Sequence, residues 1–451
     1  MPPEALRTQD LRYDLRDAAT WLQRVYSAAP SGWGWVQHIP PNAQNTAEVL
    51  LALLSLPEQD RFADFPNVLR SCVKDQLIDC TRSATRNIAW VTRALIQIRA
   101  QEAYEPANSL DGPIRSGVDA LRQLQNRDGG WPEVAAEPSQ VTWTALTLIL
   151  LGDELPPATV AAATDYLEGA QRSDGGWPLW TLSLDEVEER FKDHPRMIAS
   201  ASSQVNSNAA CTAYAVLALS QRRRNDRGQK RGVAWLIEHI DEHGHLPLFQ
   251  QASVIESEVS TFRHFSTCWA LQAILSVDPG LIFNDRVASL VMYLLGLRDQ
   301  ATGGWRASED SDPYTWATCN AIYTLRGVIQ ALQHVNPDMF LVLAQWHHAR
   351  ELASSSWFEI RGHRLAVNTS AALAIAVFTT VICALATALL FGHAFAIEFV
   401  GIPLFVILAA LPWLVYLRVN HGLSWGSGVG WVVAVGSVTI GLLYALAEYV
   451  K

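Results

Sequence analysis

The chain has 451 residues, with 34 Lys and Arg against 44 Asp and Glu and a formal charge of −10. So acidic a chain lacks the positive field that phosphate backbones require, which excludes sequence-general nucleic-acid binding. The six cysteines, Cys72, Cys80, Cys211, Cys268, Cys319 and Cys383, form no C-x-x-C pair, a usage that fits buried free thiols in a reducing compartment.

The N-terminus opens on a charged amphipathic stretch around residues 11–25, with no apolar segment of the signal-peptide kind. A repeat then governs the next three hundred or so residues. Its early copy is Ser31-Gly32-Trp33-Gly34-Trp35. Two full copies are Gln125-Asn126-Arg127-Asp128-Gly129-Gly130-Trp131-Pro132 and Gln171-Arg172-Ser173-Asp174-Gly175-Gly176-Trp177-Pro178. His243-Gly244-His245-Leu246-Pro247 is a degenerate copy, and Arg298-Asp299-Gln300-Ala301-Thr302-Gly303-Gly304-Trp305 a looser one.

Helical patterns flank each copy. Those that follow, at residues 45–56, 88–98, 141–151, 209–219, 266–274 and 314–325, carry almost no charge and are expected as a buried inner layer. Those that precede, such as 114–124 and 160–170, keep one polar face and fit an outer layer. The motif is structural chemistry. Its Gly pair permits a φ-positive turn, Asp accepts from turn amides, Gln reaches unpaired backbone groups at helix ends, and Trp covers the junction. Six such pairs close into an all-α (α/α)6 toroid with the inner-helix N-termini around one mouth.

Two repeats carry inserts before their inner helices. Residues 179–205 are acidic (Asp185-Glu186-Val187-Glu188-Glu189) and then Ser-rich, and residues 249–262 form the shorter insert. Both fall at the mouth, as a lid or a surface for a protein partner. A basic stretch, Gln221-Arg222-Arg223-Arg224-Asn225-Asp226-Arg227, joins two repeats and reads as a solvated loop or a contact for anionic headgroups.

After residue 364 the composition changes. Uncharged runs at 365–391, 399–417 and about 429–447 are each near the length that spans a bilayer as a helix. Arg361, Arg364 and Arg418 flank them and place the large N-terminal domain in the cytoplasm. The expected organisation is a toroid over 1–350, a linker over 351–364 and a three-helix transmembrane bundle over 365–451, a multi-pass membrane protein with the lipid bilayer as partner.

The Gln-x-x-Asp-Gly-Gly-Trp copies, with Leu121 and Leu167 four residues ahead of the Gln, resemble the QW-type repeat of class II terpene cyclases such as squalene–hopene cyclases. They also resemble the related repeat of protein prenyltransferase β subunits. The resemblance covers roughly residues 20–335 and implies an α/α toroid whose central cavity often holds isoprenoid chains. The family's acid motif, Asp-x-Asp-Asp, is missing. Its nearest run is Glu309-Asp310-Ser311-Asp312-Pro313, which makes Asp310 and Asp312 the candidate catalytic acids. The competing reading has Asp312 as an N-cap and Pro313 at the first helical position. The prenyltransferase zinc set is also incomplete. His264 and Cys268 stand four apart without a third ligand, so neither metal nor cofactor is expected.

Trp143, Trp269 and Trp316 are placed as candidate cavity walls, with Asn206, Asn208, Arg263, His264 and Tyr314 at inner-helix starts as ligand-binding candidates. The function expected is a membrane-tethered toroid that binds an apolar, isoprenoid-like ligand. Two alternatives stay open: a non-catalytic peptide or protein recognition module, and a sensor–effector acting on the membrane through the tail.

Overall fold

The computed structural model describes residues 8–78, 84–101, 104, 107–222, 226–255, 258–335, 356–360 and 363–367. The chain divides into two units, residues 1–343 and 344–451. In the first, the helices are α1 (Thr8–Arg24), α2 (Ala43–Ser55), α3 (Phe65–Cys72), α4 (Thr85–Ala100), α5 (Asp111–Leu124), α6 (Val141–Leu151) and α7 (Pro157–Ala170). They continue as α8 (Leu184–Arg190), α9 (Pro195–Val205), α10 (Ala209–Gln221), α11 (Asp226–His239), α12 (Ser266–Val277), α13 (Asp285–Gly296) and α14 (Thr315–Val335). Helices α2, α4, α6, α10, α12 and α14 each touch the next, and α14 touches α2. The outer helices α5, α7, α11 and α13 pack on the inner helix that precedes them, and α1 packs on α14 to close the seam. The fold is therefore helix-dominated, a ring of inner helices inside a ring of outer ones. The inner helices are apolar nearly all round, and burial on every side follows from that; in α6 only Ile149 escapes full burial.

The repeat motif holds each pair together through the same contacts. Trp33, Trp131, Trp177 and Trp305 are fully buried, and each indole N–H donates to a carbonyl of the preceding outer helix, Leu22, Leu121, Leu167 and Leu294, at 2.7–3.0 Å. Gln125 donates to the Gly129 carbonyl at 2.8 Å and to the Thr159 carbonyl of the next outer helix at 3.0 Å, and Gln171 does the same toward Gly175 and Gly228. Asp128 and Asp174 accept from Gly130 and Gly176. The first Gly adopts φ +89°, +97° and +82° at Gly129, Gly175 and Gly303, and Gly244 of the His-containing copy matches at +81°. His243 and His245 are thus turn residues, both amides donating to Asp241.

A further element of the repeat lies in the inner helix. The backbone N–H of each motif Trp donates to a threonine hydroxyl: Thr46, Thr144, Thr212 and Thr318, at 2.8–3.1 Å. The N–H and hydroxyl are buried, so their loss leaves a donor without water or partner. Thr144→Val is expected to cost about 1–3 kcal/mol, read as a lower urea midpoint with an unchanged slope. Thr147→Val, whose hydroxyl merely returns to the Trp143 carbonyl four residues back, should shift the midpoint far less. Equal shifts would show that the Trp amide is not what Thr144 serves.

A few short strands accompany the helices without changing the helix-dominated class. Strands β1 (Ser27–Ala28) and β2 (Ser31–Gly32) pair at the first turn, and the insert before α12 is an antiparallel hairpin of β3 (Phe249–Ile255) and β4 (Glu258–His264). Its Phe249 and Gln251, Phe262 and His264 are buried at alternate positions, with the small Ala252 buried as well, close to the period of a strand with one face inward. The larger insert, residues 179–205, is largely helical. It forms α8 and α9, with Ser183 and Glu186 making a reciprocal capping box, and α9 touches β3. Helix α14 starts at Thr315 rather than at Pro313. Pro313 is held in a bridge to Arg306, and the first helical bond runs from Thr318 to the Tyr314 carbonyl, so Asp312 is not the cap. In the basic stretch, Arg222 pairs with Asp153 at 2.6 Å, while residues 223–225 lie outside the described residues.

In the second unit the described residues form a hairpin of β5 (Ser356–Ile360) and β6 (His363–Val367). The aromatic and β-branched positions Trp357, Phe358, Ile360 and Val367 suit a strand. The hairpin lies in the expected linker and crosses its end at residue 364, its last residues, 365–367, being the first of the first expected span. The rest of that span, and the spans expected at 399–417 and 429–447, lie outside the described residues. Among the described residues no helix is long and apolar enough to cross a membrane.

Candidate functional site

The motif threonine also sets which side chains face the centre of the ring. Two residues further along an α-helix is about 200° round the axis, so a threonine turned outward to its Trp turns its second neighbour inward. Those neighbours are Glu48, Leu146, Tyr214 and Asn320, and all four line one cavity of about 310 Å3. The remaining walls come from Trp35 and Val36 after β2, from the first turns of the inner helices, and from Thr261–His264 of the hairpin with Phe265 just beyond it. Nine of the nineteen lining residues are Trp, Tyr or Phe, which makes the surface aromatic rather than merely apolar. The rings support one another: Tyr214 and Trp269 lie 4.1 Å apart, Tyr314 stacks on Trp316 at 5.8 Å, and Phe262 meets Trp35 and Trp143 at 6.2 Å each.

Besides Arg263 on β4, three charged groups sit in or behind this wall. Arg86, on the first turn of α4, has its guanidinium 3.7 Å from the centre of the Phe262 ring, with Trp35 at 5.7 Å and Trp143 at 5.9 Å. That is a cation held against aromatic faces out of water. Its Nε lies 3.3 Å from Oε1 of Glu133, which is fully buried. Burial pushes the Glu133 carboxyl up, against the opposing pull of Arg86 and the Trp143 indole. Burial likewise pulls the Arg86 guanidinium down, with Glu133 and Glu48 opposing.

Glu48 is the third. It stands alone as a charged residue within α2, and its Oε1 accepts from Gln44 at 2.7 Å. Burial raises its pKa from 4.5 to about 7, against the Gln44 hydrogen bond and Arg86. A carboxyl in this state keeps its proton through mildly acidic conditions and shares it near neutrality.

The hairpin supplies a neutral polar network. Gln251 Oε1 accepts from Thr142 at 3.0 Å and from His264 Nε2 at 2.9 Å, while Gln251 Nε2 donates to Gln140 at 2.5 Å. A carbonyl oxygen only accepts, so the His264 proton is on Nε2 and Nδ1 is an acceptor. Burial first, and Arg86 second, push the His264 pKa down to about 3, which keeps the ring neutral at any physiological pH.

Of the residues singled out from sequence, Trp143, Arg263, His264, Trp269, Tyr314 and Trp316 line the cavity. Asn208 caps α10, accepting from the Cys211 N–H at 2.9 Å, and Asn206 is exposed at the end of α9. Asp310 and Asp312 are both exposed and outside the lining. Sequence reasoning passed over Glu48, Arg86 and Glu133. Glu48 had a signal, a lone charge in an otherwise uncharged helix, whereas Arg86 shares α4 with Arg93 and Arg99 and Glu133 lies in the loop ahead of α6. The free cysteines Cys72, Cys211, Cys268 and Cys319 are buried. Burial pushes each thiol up, Cys72 to about 12, so none is a ready nucleophile. Among the described residues no three His, Cys, Asp or Glu side chains converge on a metal position.

No protein-family model and no curated protein matches the chain. Among solved structures, a protein from Actinoplanes is 16% identical over 71% of this chain and 99% of its own, with a TM-score of 0.48. The type II terpene cyclase MstE from Scytonema is 15% identical over 72% and 99%, with a TM-score of 0.47. A family 76 glycoside hydrolase from Bacteroides thetaiotaomicron is 10% identical over 72% and 79%, with a TM-score of 0.48.

Proposed function

We propose that the ring binds an apolar, isoprenoid-like chain in the aromatic cavity, and that residues 365–451 hold the ring at the cytoplasmic face of a membrane from which such a chain would come. The observation that carries the reading is the lining itself: nine aromatic residues around about 310 Å3, at the lower end of the range for small-molecule pockets. Rings of this kind suit apolar chains and the cationic centres that form on them. The uncharged run of the tail supports the membrane part of the reading. Glu48 is the cavity group suited to hold a proton at neutral pH, and any proton transfer to the ligand is assigned to it. Asp310 and Asp312, exposed outside the lining, receive no such role.

The test is farnesol binding to the full chain in neutral detergent, followed by quenching of tryptophan fluorescence. Binding is expected, and Trp269→Ala with Trp316→Ala should weaken it roughly tenfold or more. Because an apolar ligand strips water from Glu48, affinity should fall as pH rises through about 7. Asp310→Asn and Asp312→Asn should bind as wild type. Absence of farnesol binding, with a protein retained through residues 179–205 and 249–262, would favour the recognition module instead.

A further inference from the structure

A second cavity, of about 470 Å3, opens at the seam where α1 and α14 close the ring. The aromatic cavity uses the first turns of α2 and α14, whereas the seam cavity uses Leu56 just past the end of α2 and the last turns of α14 from Arg326 onward. The two therefore open toward opposite faces of the ring.

The seam cavity is positively charged within an acidic chain. Arg12, Arg16 and Arg326 line it against a single carboxylate, Asp60, and the chain as a whole carries −10. Arg16 Nε pairs with Asp60 at 2.5 Å, so that carboxylate is already satisfied. Among the described residues, Arg12 and Arg326 have neither a hydrogen bond nor an ion pair. Arg12 is exposed and Arg326 is partly withdrawn from water; burial lowers the Arg326 pKa, with Tyr323 opposing. Holding a guanidinium partly out of water without a carboxylate is costly, and a bound anion would offset that cost.

A bland explanation would have these arginines neutralise the carbonyls at the end of α2, where the helix dipole is negative. That role is already filled. Arg61 donates to the Leu56 carbonyl at 3.0 and 2.8 Å and to the Leu54 carbonyl at 2.9 Å, and Gln101 adds a donor to Leu54. The free donors of the cavity are then Arg12, Arg326 and the carboxamides of Gln59, Gln330 and Gln333. Two cations with neutral N–H donors beside them are the chemistry that recognises phosphate oxygens.

We propose that the seam cavity binds a phosphate-bearing ligand, its oxygens held by Arg12 and Arg326. The volume exceeds what bare phosphate needs, so the phosphate belongs to a larger molecule, either a soluble phosphate ester or a lipid headgroup. Nothing in the site reads the difference, and the experiment does.

The full chain in neutral detergent is titrated calorimetrically with inorganic pyrophosphate and, separately, with a short-chain phosphatidic acid, using short-chain phosphatidylcholine as the uncharged-headgroup control. At least one of the two anions should bind. The double variant Arg12→Gln, Arg326→Gln should lose roughly tenfold or more in that affinity, while Arg326→Lys alone should lose less. Tryptophan quenching by farnesol should stay unchanged in all of them, which separates a lost site from a lost fold and from a failure of the aromatic-cavity reading. Pyrophosphate binding alone identifies a soluble ligand, and phosphatidic acid alone a lipid. If neither anion binds, or if the double variant binds as tightly as wild type, the proposal is wrong.

Discussion

Glu48→Gln should melt higher than the wild-type ring at about pH 8, because it removes a carboxylate that the fold holds against its preference. The Glu48 pKa rises from 4.5 to about 7 on folding, with burial as the leading cause. A raised acid favours the folded state while protonated. That contribution is complete below pH 4.5 and is lost as pH climbs to about 7. The span corresponds to about 3 kcal/mol at full ionisation. Glutamine is uncharged at every pH and keeps an oxygen to accept from Gln44. The variant should therefore lose the pH dependence across that window and gain roughly 5 °C on the alkaline side, the shift such an energy produces in a domain of this size. Below pH 4.5 the two proteins should melt together. A variant no more stable than wild type on the alkaline side would mean that Glu48 is solvated, and it would lose its place as the proton-holding group of the cavity.

The same residue marks the limit of what the sequence revealed. Gly-Gly-Trp announces its turn because φ-positive Gly and a buried Trp are rare together, and from it the ring and its inner helices can be read. The threonine that completes each repeat is not so visible. It stands 13 residues after Trp33, Trp131 and Trp305 but 35 after Trp177, where α8 and α9 intervene, and threonine is common elsewhere in these helices. Without that register nothing tells which side of an all-apolar helix faces the lumen, so Trp143 and Trp269 could be nominated for the wall while Glu48 was passed over. Asp310 and Asp312 drew notice through resemblance to an acid motif, yet the bridge from Arg306 to Pro313 holds that segment outside the cavity. The hairpin was hidden by its own chemistry. Its inward residues, Phe249, Gln251, Phe262 and His264, are buried together but mix apolar with polar side chains, so alternation in hydrophobicity is blurred.

Arg86→Met is expected to be among the most damaging single changes in the ring, and the reason lies behind the cavity rather than in it. Glu133 is fully exposed to neither water nor ligand; its side chain is completely buried and its nearest cation is Arg86, with Nε at 3.3 Å. Glu133 is fixed there by its own backbone, since its carbonyl accepts from the Thr85 N–H at 2.9 Å and the neighbouring Pro132 carbonyl accepts from the Thr85 hydroxyl at 2.6 Å. It cannot follow a lost partner toward solvent. Removing the guanidinium leaves the carboxylate unpaired, a loss of about 3–5 kcal/mol and roughly 6–10 °C in melting temperature. Protonating Glu133 relieves the strain, so the loss should shrink as pH falls. Replacing both partners, Arg86→Met with Glu133→Leu, removes both buried charges and should restore stability to near the wild-type value or above it. A double-mutant cycle measured by chemical denaturation distinguishes this from a packing effect. If the arginine matters only as a filler among Trp35, Trp143 and Phe262, the two substitutions will add, and the second will rescue nothing.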